Sequence, residues 1–261
     1  MKRKLKTKRA EVTEWKFSKL LRIQEDKGSK MKLWSMRVFL TVLVLTMFPL
    51  SDAVAQPQQR AHVVIIDPAH GGDDSGVKVS DKEYEKDITL AIALSLKKEL
   101  EKIGTIQVQL IRSSDKLVPF SERRKIAASA RGDLFVSIHV NAGFGKTSSG
   151  YEVYFPGFRD AQAEQSNSKE ILKDMARNKS LNDSIRLAQL IQKNMEGVFP
   201  RKSRGIRDAS IPVLEGLSIP AVVVEIGFAT NPEDRKKMTD GNTQKSIAHA
   251  LYQSIKDFYY D

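Results

Sequence analysis

Three short apolar runs each lead into a histidine or a glutamate: Val63-Val64-Ile65-Ile66-Asp67-Pro68-Ala69-His70, Leu134-Phe135-Val136-Ser137-Ile138-His139 and Ala221-Val222-Val223-Val224-Glu225. Short runs rich in β-branched residues suit strands buried on both faces, and such strands belong to parallel sheets covered by helices. In open sheets of that kind the ligand crevice lies outside the carboxyl ends of the strands. The pattern therefore predicts that two imidazoles and a carboxylate converge at one end of a sheet.

The segments between these runs have helical character. Asp87 to Ile103 carries a broad apolar face through Ile88, Ala91, Ile92, Leu94, Ser95, Leu96 and Leu100, and Gly104 ends it. Val108 to Ile111 reads as a strand, and Ser121 as the cap of a helix reaching Gly132. Gly150 to Phe155 alternates more than the other runs and reads as an edge strand. A helix from about Asn182 to Val198, a short apolar stretch Ile211-Pro212-Val213-Leu214, a helix started by Asn231-Pro232-Glu233-Asp234 and a last helix over Asn242 to Tyr259 complete the chain. This order predicts a single three-layer α/β domain, with a mostly parallel or mixed sheet of about six strands flanked by helices. At 261 residues the chain is long enough to bury a sizeable core.

The net charge of +11 invites a nucleic-acid reading, but its distribution opposes one. Residues 1–37 hold 13 Lys/Arg against 4 Asp/Glu, whereas Gln56 onward holds 30 against 27. The basic head precedes an apolar run, Val38 to Leu50, too short to span a bilayer comfortably, and then Ala53-Val54-Ala55, a small-x-small cleavage pattern. Residues 1–55 read as a basic n-region and secretory signal, with Met31 as an alternative start, and 56–61 as a linker. An uncleaved signal anchor is the rival reading. Either way residues 62–261 form the catalytic body and face outside the cytoplasm, periplasmic or extracellular, touching membrane only through the signal. No cysteine occurs, so any metal must be held by His, Asp or Glu.

Catalytic zinc usually takes three protein ligands and keeps a further position for water, whose pKa it lowers towards neutrality. His70, Glu85 and His139 supply a His-Glu-His set for one zinc ion. Glu225 is the carboxylate left over to move protons, because a Glu continuing Val222-Val223-Val224 is rarely buried without a partner. His62 at a strand start and His249 in the last helix fit no catalytic role. Gly71-Gly72 permits a sharp turn beside His70 and leaves room for metal and substrate. Gly145-Lys146-Thr147 lacks the glycine and the following helix of a phosphate loop, and neither H-E-x-x-H nor G-x-S-x-G occurs.

Ile66-Asp67-Pro68-Ala69-His70-Gly71-Gly72, Glu85-Lys86-Asp87, Ser137-Ile138-His139-Val140-Asn141-Ala142 and Val224-Glu225-Ile226-Gly227-Phe228-Ala229-Thr230-Asn231 resemble the four signature blocks of the zinc-dependent N-acetylmuramoyl-L-alanine amidases. The resemblance runs from about His62 to the C-terminus. It implies that His70, Glu85 and His139 are zinc ligands and that Glu225 is catalytic. The reaction it implies is cleavage of the amide between N-acetylmuramic acid and the first L-alanine of peptidoglycan. Arg123 takes the place of a family arginine read as structural, and Ala69 stands where the family usually has glycine.

The charged segment Pro156 to Leu181 breaks the compact rhythm. In some members of that family its place holds a helix that blocks the zinc until a protein activator displaces it. The expectation is a regulatory insertion at 156–181, with Glu164 or Glu170 reaching the metal. Two rival functions remain at this level: a non-catalytic peptidoglycan-binding relative, and a zinc peptidase cutting within the stem peptide.

Overall fold

The computed structural model describes residues 60–157 and 168–261, which belong to one compact unit, Gln59–Asp261. Six strands form one mixed sheet: β1 (His62–Pro68), β2 (Ile106–Leu110), β3 (Leu134–Asn141), β4 (Tyr151–Pro156), β5 (Ser203–Ala209) and β6 (Ala221–Phe228), in the order β2-β1-β3-β6-β4-β5. β2, β1, β3 and β6 run parallel, β4 is antiparallel to β6, and β5 is parallel to β4. The central strands of this sheet are the three apolar runs.

Five α-helices flank the sheet: α1 (Glu85–Leu100), α2 (Phe120–Ser129), α3 (Ser168–Met195), α4 (Pro232–Thr239) and α5 (Gly241–Tyr260). The larger core lies on one face, where Val64, Ile66, Val136, Ile138, Val222 and Val224 meet Ile88, Ile92 and Leu96 of α1, Leu187 and Ile191 of α3, and Leu251 and Ile255 of α5. Each such buried aliphatic chain contributes about 1.5–3 kcal/mol of transfer free energy. The opposite face is thinner: Ile65, Phe135, Ala221 and Val223 are covered by Ala127 of α2 and by Val213 and Leu214. Among the described residues no helix is long and apolar enough to cross a membrane.

Several expectations hold at residue level. Gly104 ends the first helical stretch in the left-handed conformation at φ 79°. Asn231 caps α4 by accepting from the Glu233 and Asp234 amides, with Pro232 at its first position. Others need correction. The Gly150–Phe155 run is not an edge: β4 lies inside the sheet, covered by β5. β5 was invisible because Ser-Arg-Gly-Ile-Arg-Asp-Ala has no apolar run, as an edge strand needs none. Ile211 to Leu214 forms a turn that buries Val213 and Leu214. The helix expected from Asn182 begins earlier: α3 starts at Ser168, so the second half of the 156–181 segment is helix continuous with 182–195. Residues 158–167, with Glu164, lie outside the described residues, as do the side chain of Glu170, the signal (1–55) and 56–59 of the linker.

A buried ion pair and a cluster of carbonyls shape the end of β1. Asp67 and Arg123 are both buried and pair directly, and Ser137 donates to the second Asp67 oxygen at 2.7 Å. Arg123 also donates to the Pro68 and His70 carbonyls, each at 3.0 Å. Removing one member of a buried pair strands the other charge. Arg123→Ala is therefore expected to cost about 3–5 kcal/mol in urea denaturation, whereas Arg60→Ala, which breaks the surface pair with Asp133, is expected to cost less than about 1 kcal/mol.

Candidate metal centre

The end of β1 sets the first site residue. His70 adopts φ 59°, uncommon for a side chain with a Cβ. Two buried guanidiniums hold it there. Arg112 donates to the Pro68 carbonyl at 3.0 Å and the Ala69 carbonyl at 2.8 Å, while Arg123 takes the His70 carbonyl. Three successive carbonyls are thus satisfied by charged donors, which offsets the strain of the turn. Arg112 was missed in the sequence because it follows β2 without any motif around it.

Glu85 is the first residue of α1 and is almost fully buried. Its two oxygens are used symmetrically. Oε2 accepts from the Val77 amide at 3.0 Å and faces His70 Nε2 at 3.1 Å. Oε1 accepts from the Val140 amide at 2.9 Å and faces His139 Nδ1 at 3.2 Å. The two imidazoles meet edge to face, with ring centroids 5.6 Å apart. His70 uses its other nitrogen, Nδ1, to contact Asp74 Oδ2 at 2.8 Å.

Electrostatics follow from this packing. The Glu85 hydrogen bond raises His70 to about 9 against the desolvation that lowers it, and Asp74 adds to the rise. Burial opposes ionisation of Glu85, but the His139 and His70 hydrogen bonds overcome it and hold the carboxyl at about 2. Glu225 behaves in the opposite way. Burial pushes it up to about 7; His139 pulls it down, and the Glu85 and Glu152 carboxylates push it further up. Its Oε2 is buried without a hydrogen-bond partner among the described residues.

The sheet explains why Glu225 is there. His139 and Glu225 are register partners on β3 and β6, and Glu225 and Glu152 are register partners on β6 and β4. Directly paired residues share one face of a sheet, so His139, Glu225 and Glu152 form a row across three strands. Neither run stops at its ionisable residue: β3 continues to Asn141 and β6 to Phe228.

One ligand atom from each of His70, Glu85 and His139 lies within 4.8 Å of the others. Ligands about 2.1 Å from a tetrahedral zinc lie about 3.4 Å apart, so this donor set of two imidazoles and a carboxylate fits such an ion. Gly76, which no sequence argument singled out, makes the room: a Cβ there would lie 2.6 Å from both Glu85 Oε2 and His70 Cδ2. Gly71 and Gly72 instead approach the backbone of Lys116 and Leu117. They shape the turn without lining the centre. His62 stacks on Tyr259 and His249 pairs with Glu99, so both have structural partners elsewhere.

A family model described as N-acetylmuramoyl-L-alanine amidase matches residues 64–257. The chain belongs to the N-acetylmuramoyl-L-alanine amidase family. AmiC of Escherichia coli O6:H1, named as an N-acetylmuramoyl-L-alanine amidase, is 27% identical over 226 residues, 78% of this chain and 54% of AmiC. The chain thus spans about half the length of that relative. YqiI of Bacillus subtilis is 34% identical over 84% of this chain and 94% of its own length. The catalytic domain of the amidase CwlV from Bacillus (Paenibacillus) polymyxa var. colistinus superposes with a TM-score of 0.62 at 30% identity, covering 76% of this chain and 98% of that domain.

Within this amidase-family chain, the contact from Asp74 to His70 has the form of a carboxylate that orients a metal-binding imidazole. Asp74→Ala is expected to weaken zinc binding about 10–100-fold with the fold intact. Gly76→Ala is expected to weaken it too, by crowding His70 and Glu85. Competition titration against a zinc chelator, with circular dichroism as the fold control, measures both.

Proposed function

We propose that the chain is a zinc hydrolase that cleaves the amide between N-acetylmuramic acid and L-alanine in peptidoglycan, and so acts in cell-wall hydrolysis. The observation that carries this reading is the convergence of His70, Glu85 and His139 beside a buried carboxyl oxygen of Glu225 that has no partner among the described residues. Membership of the amidase family supports the bond assignment.

In this reading His70 Nε2, Glu85 and His139 Nδ1 hold one zinc ion. When bound, zinc supplies a water of lowered pKa and polarises the carbonyl of the scissile amide. The protein's own groups do the rest. Asp74 fixes the tautomer of His70 by engaging Nδ1. The Val77 and Val140 amides keep the Glu85 carboxylate from rotating. Glu225, held near neutrality by burial, takes a proton at its free Oε2 and returns it to the leaving amine of L-alanine.

Export belongs to the same proposal and rests on Val38 to Leu50 and Ala53-Val54-Ala55. The polypeptide recovered from the cell envelope is expected to begin at Gln56, read by intact mass; retention of 1–55 points instead to a signal anchor. Regulation by the 156–181 segment, relieved by a protein activator, is also part of the proposal. It rests on the segment's length and charge, and deletion of 158–167 is expected to raise turnover of purified wall.

The decisive experiment digests purified peptidoglycan with zinc-loaded protein and reads the products by mass spectrometry. Free stem peptides with intact glycan are expected. Cuts between amino acids would identify a peptidase, and unaltered wall with retained binding would identify a non-catalytic relative. Glu225→Gln is expected to lower turnover by at least about 100-fold while keeping one zinc. His139→Ala is expected to lose the metal, and treatment with a strong chelator to abolish activity until zinc is restored.

A further inference from the structure

The row of paired residues does not end at Glu225. Glu152, the next position across, is buried and accepts from Asn141 Nδ2 at 3.1 Å, Tyr154 OH at 2.7 Å and Arg204 Nε at 2.7 Å. Burial raises its carboxyl, but the Tyr154 and Arg204 hydrogen bonds outweigh that and hold it below the usual carboxylate range. One guanidinium in this contact suffices to balance Glu152. β5 nevertheless brings a second: Arg207 lies 3.6 Å from the same oxygen, too far for a hydrogen bond.

The two arginines differ from Arg112 and Arg123 in being reachable. The side chains of Arg204 and Arg207 are 37% and 52% exposed, against 4% for Glu152. Arg204 is steadied by the Phe228 ring, 5.1 Å below its guanidinium. Among the described residues Arg207 donates only to the Arg204 carbonyl, which leaves most of its five N–H donors facing outward. One buried anion facing two half-exposed guanidiniums leaves a surplus positive charge at the β5 end of the row.

We propose that Arg204 and Arg207 form a carboxylate-binding subsite that selects an acidic stem peptide, reading a carboxylate on the residue that follows L-alanine. This rests on the amidase reading above. The spacing suits it: strands lie about 4.8 Å apart, so β5 is about 10 Å from β6 across β4. Two extended residues reach up to about 7 Å from the scissile amide. An arginine side chain closes the difference, and its planar fork matches a carboxylate.

The test uses two muropeptides that differ only in whether the second stem residue bears a carboxylate or its amide. The wild-type protein is expected to favour the carboxylate form about tenfold in kcat/KM, mostly through KM, the size of one charge-assisted hydrogen bond. Arg207→Gln is expected to collapse that ratio to below about twofold, and Arg207→Lys to restore part of it. A wild-type ratio near one overturns the proposal, as does an Arg207→Gln protein that slows both substrates equally. Titration of the two free stem peptides onto zinc-loaded protein separates this proposal from the amidase reading. A protein that cleaves neither muropeptide fails as an amidase, yet about tenfold tighter binding of the acidic peptide still supports the subsite, and equal binding overturns it.

Discussion

Strand register is what the centre depends on. Asp67 faces Ser137, His139 faces Glu225, and Glu225 faces Glu152. Side chains alternate faces along a strand, so a slip of one residue between β3 and β6 would send Glu225 into the larger core and bring Val224 to the site. The apolar half of each strand forbids that slip. Val222, Val224, Val136 and Ile138 are wholly buried against helices, and exchanging them for Ser137, His139 or Glu225 would bury polar groups with nothing to satisfy them. The core that stabilises the sheet thereby aims the polar residues.

The turn after β1 is held by a different kind of force. His70 occupies a left-handed conformation, and the carbonyls of Pro68, Ala69 and His70 point at two buried guanidiniums. Arg123 is balanced by Asp67, whereas Arg112 is buried against carbonyls and Thr89 at the start of α1, with desolvation drawing its pKa down. Buried charges are costly, and their worth here is positional. They fix a histidine whose ring then needs only Asp74 and Glu85 to be aligned.

Much of this was legible from residue order. The three central strands, the alternation with helices and the cap at Asn231 follow from apolar runs and cap chemistry, and the places of His70, His139 and Glu225 follow from the ends of those runs; Glu85 was reached only through the need for a third zinc ligand and the family resemblance. What escaped notice was polar. β5 contains one large aliphatic residue, Ile206, and pairs on one side only among the described residues, so no hydrophobic pattern marks it. Arg112 and Gly76 sit outside any periodic segment, and their importance comes from neighbours that no local pattern marks: Pro68, 44 residues before Arg112, and Glu85, in the helix after Gly76. The placement of β4 in the sheet interior depended on β5 and was missed with it.

The order of residues placed two imidazoles and a carboxylate at the ends of three buried strands, because short β-branched runs suit buried strands and ionisable groups at their ends need partners. It also determined the family, through four blocks in order along one chain. Only the folded arrangement decided how these groups relate. Parallel pairing of β3 with β6 puts His139 beside Glu225, the start of α1 inserts Glu85 between two imidazoles, and the closeness of Gly76 leaves space around them. Each relation joins separate elements of the chain, and only burial of the shared core brings them together.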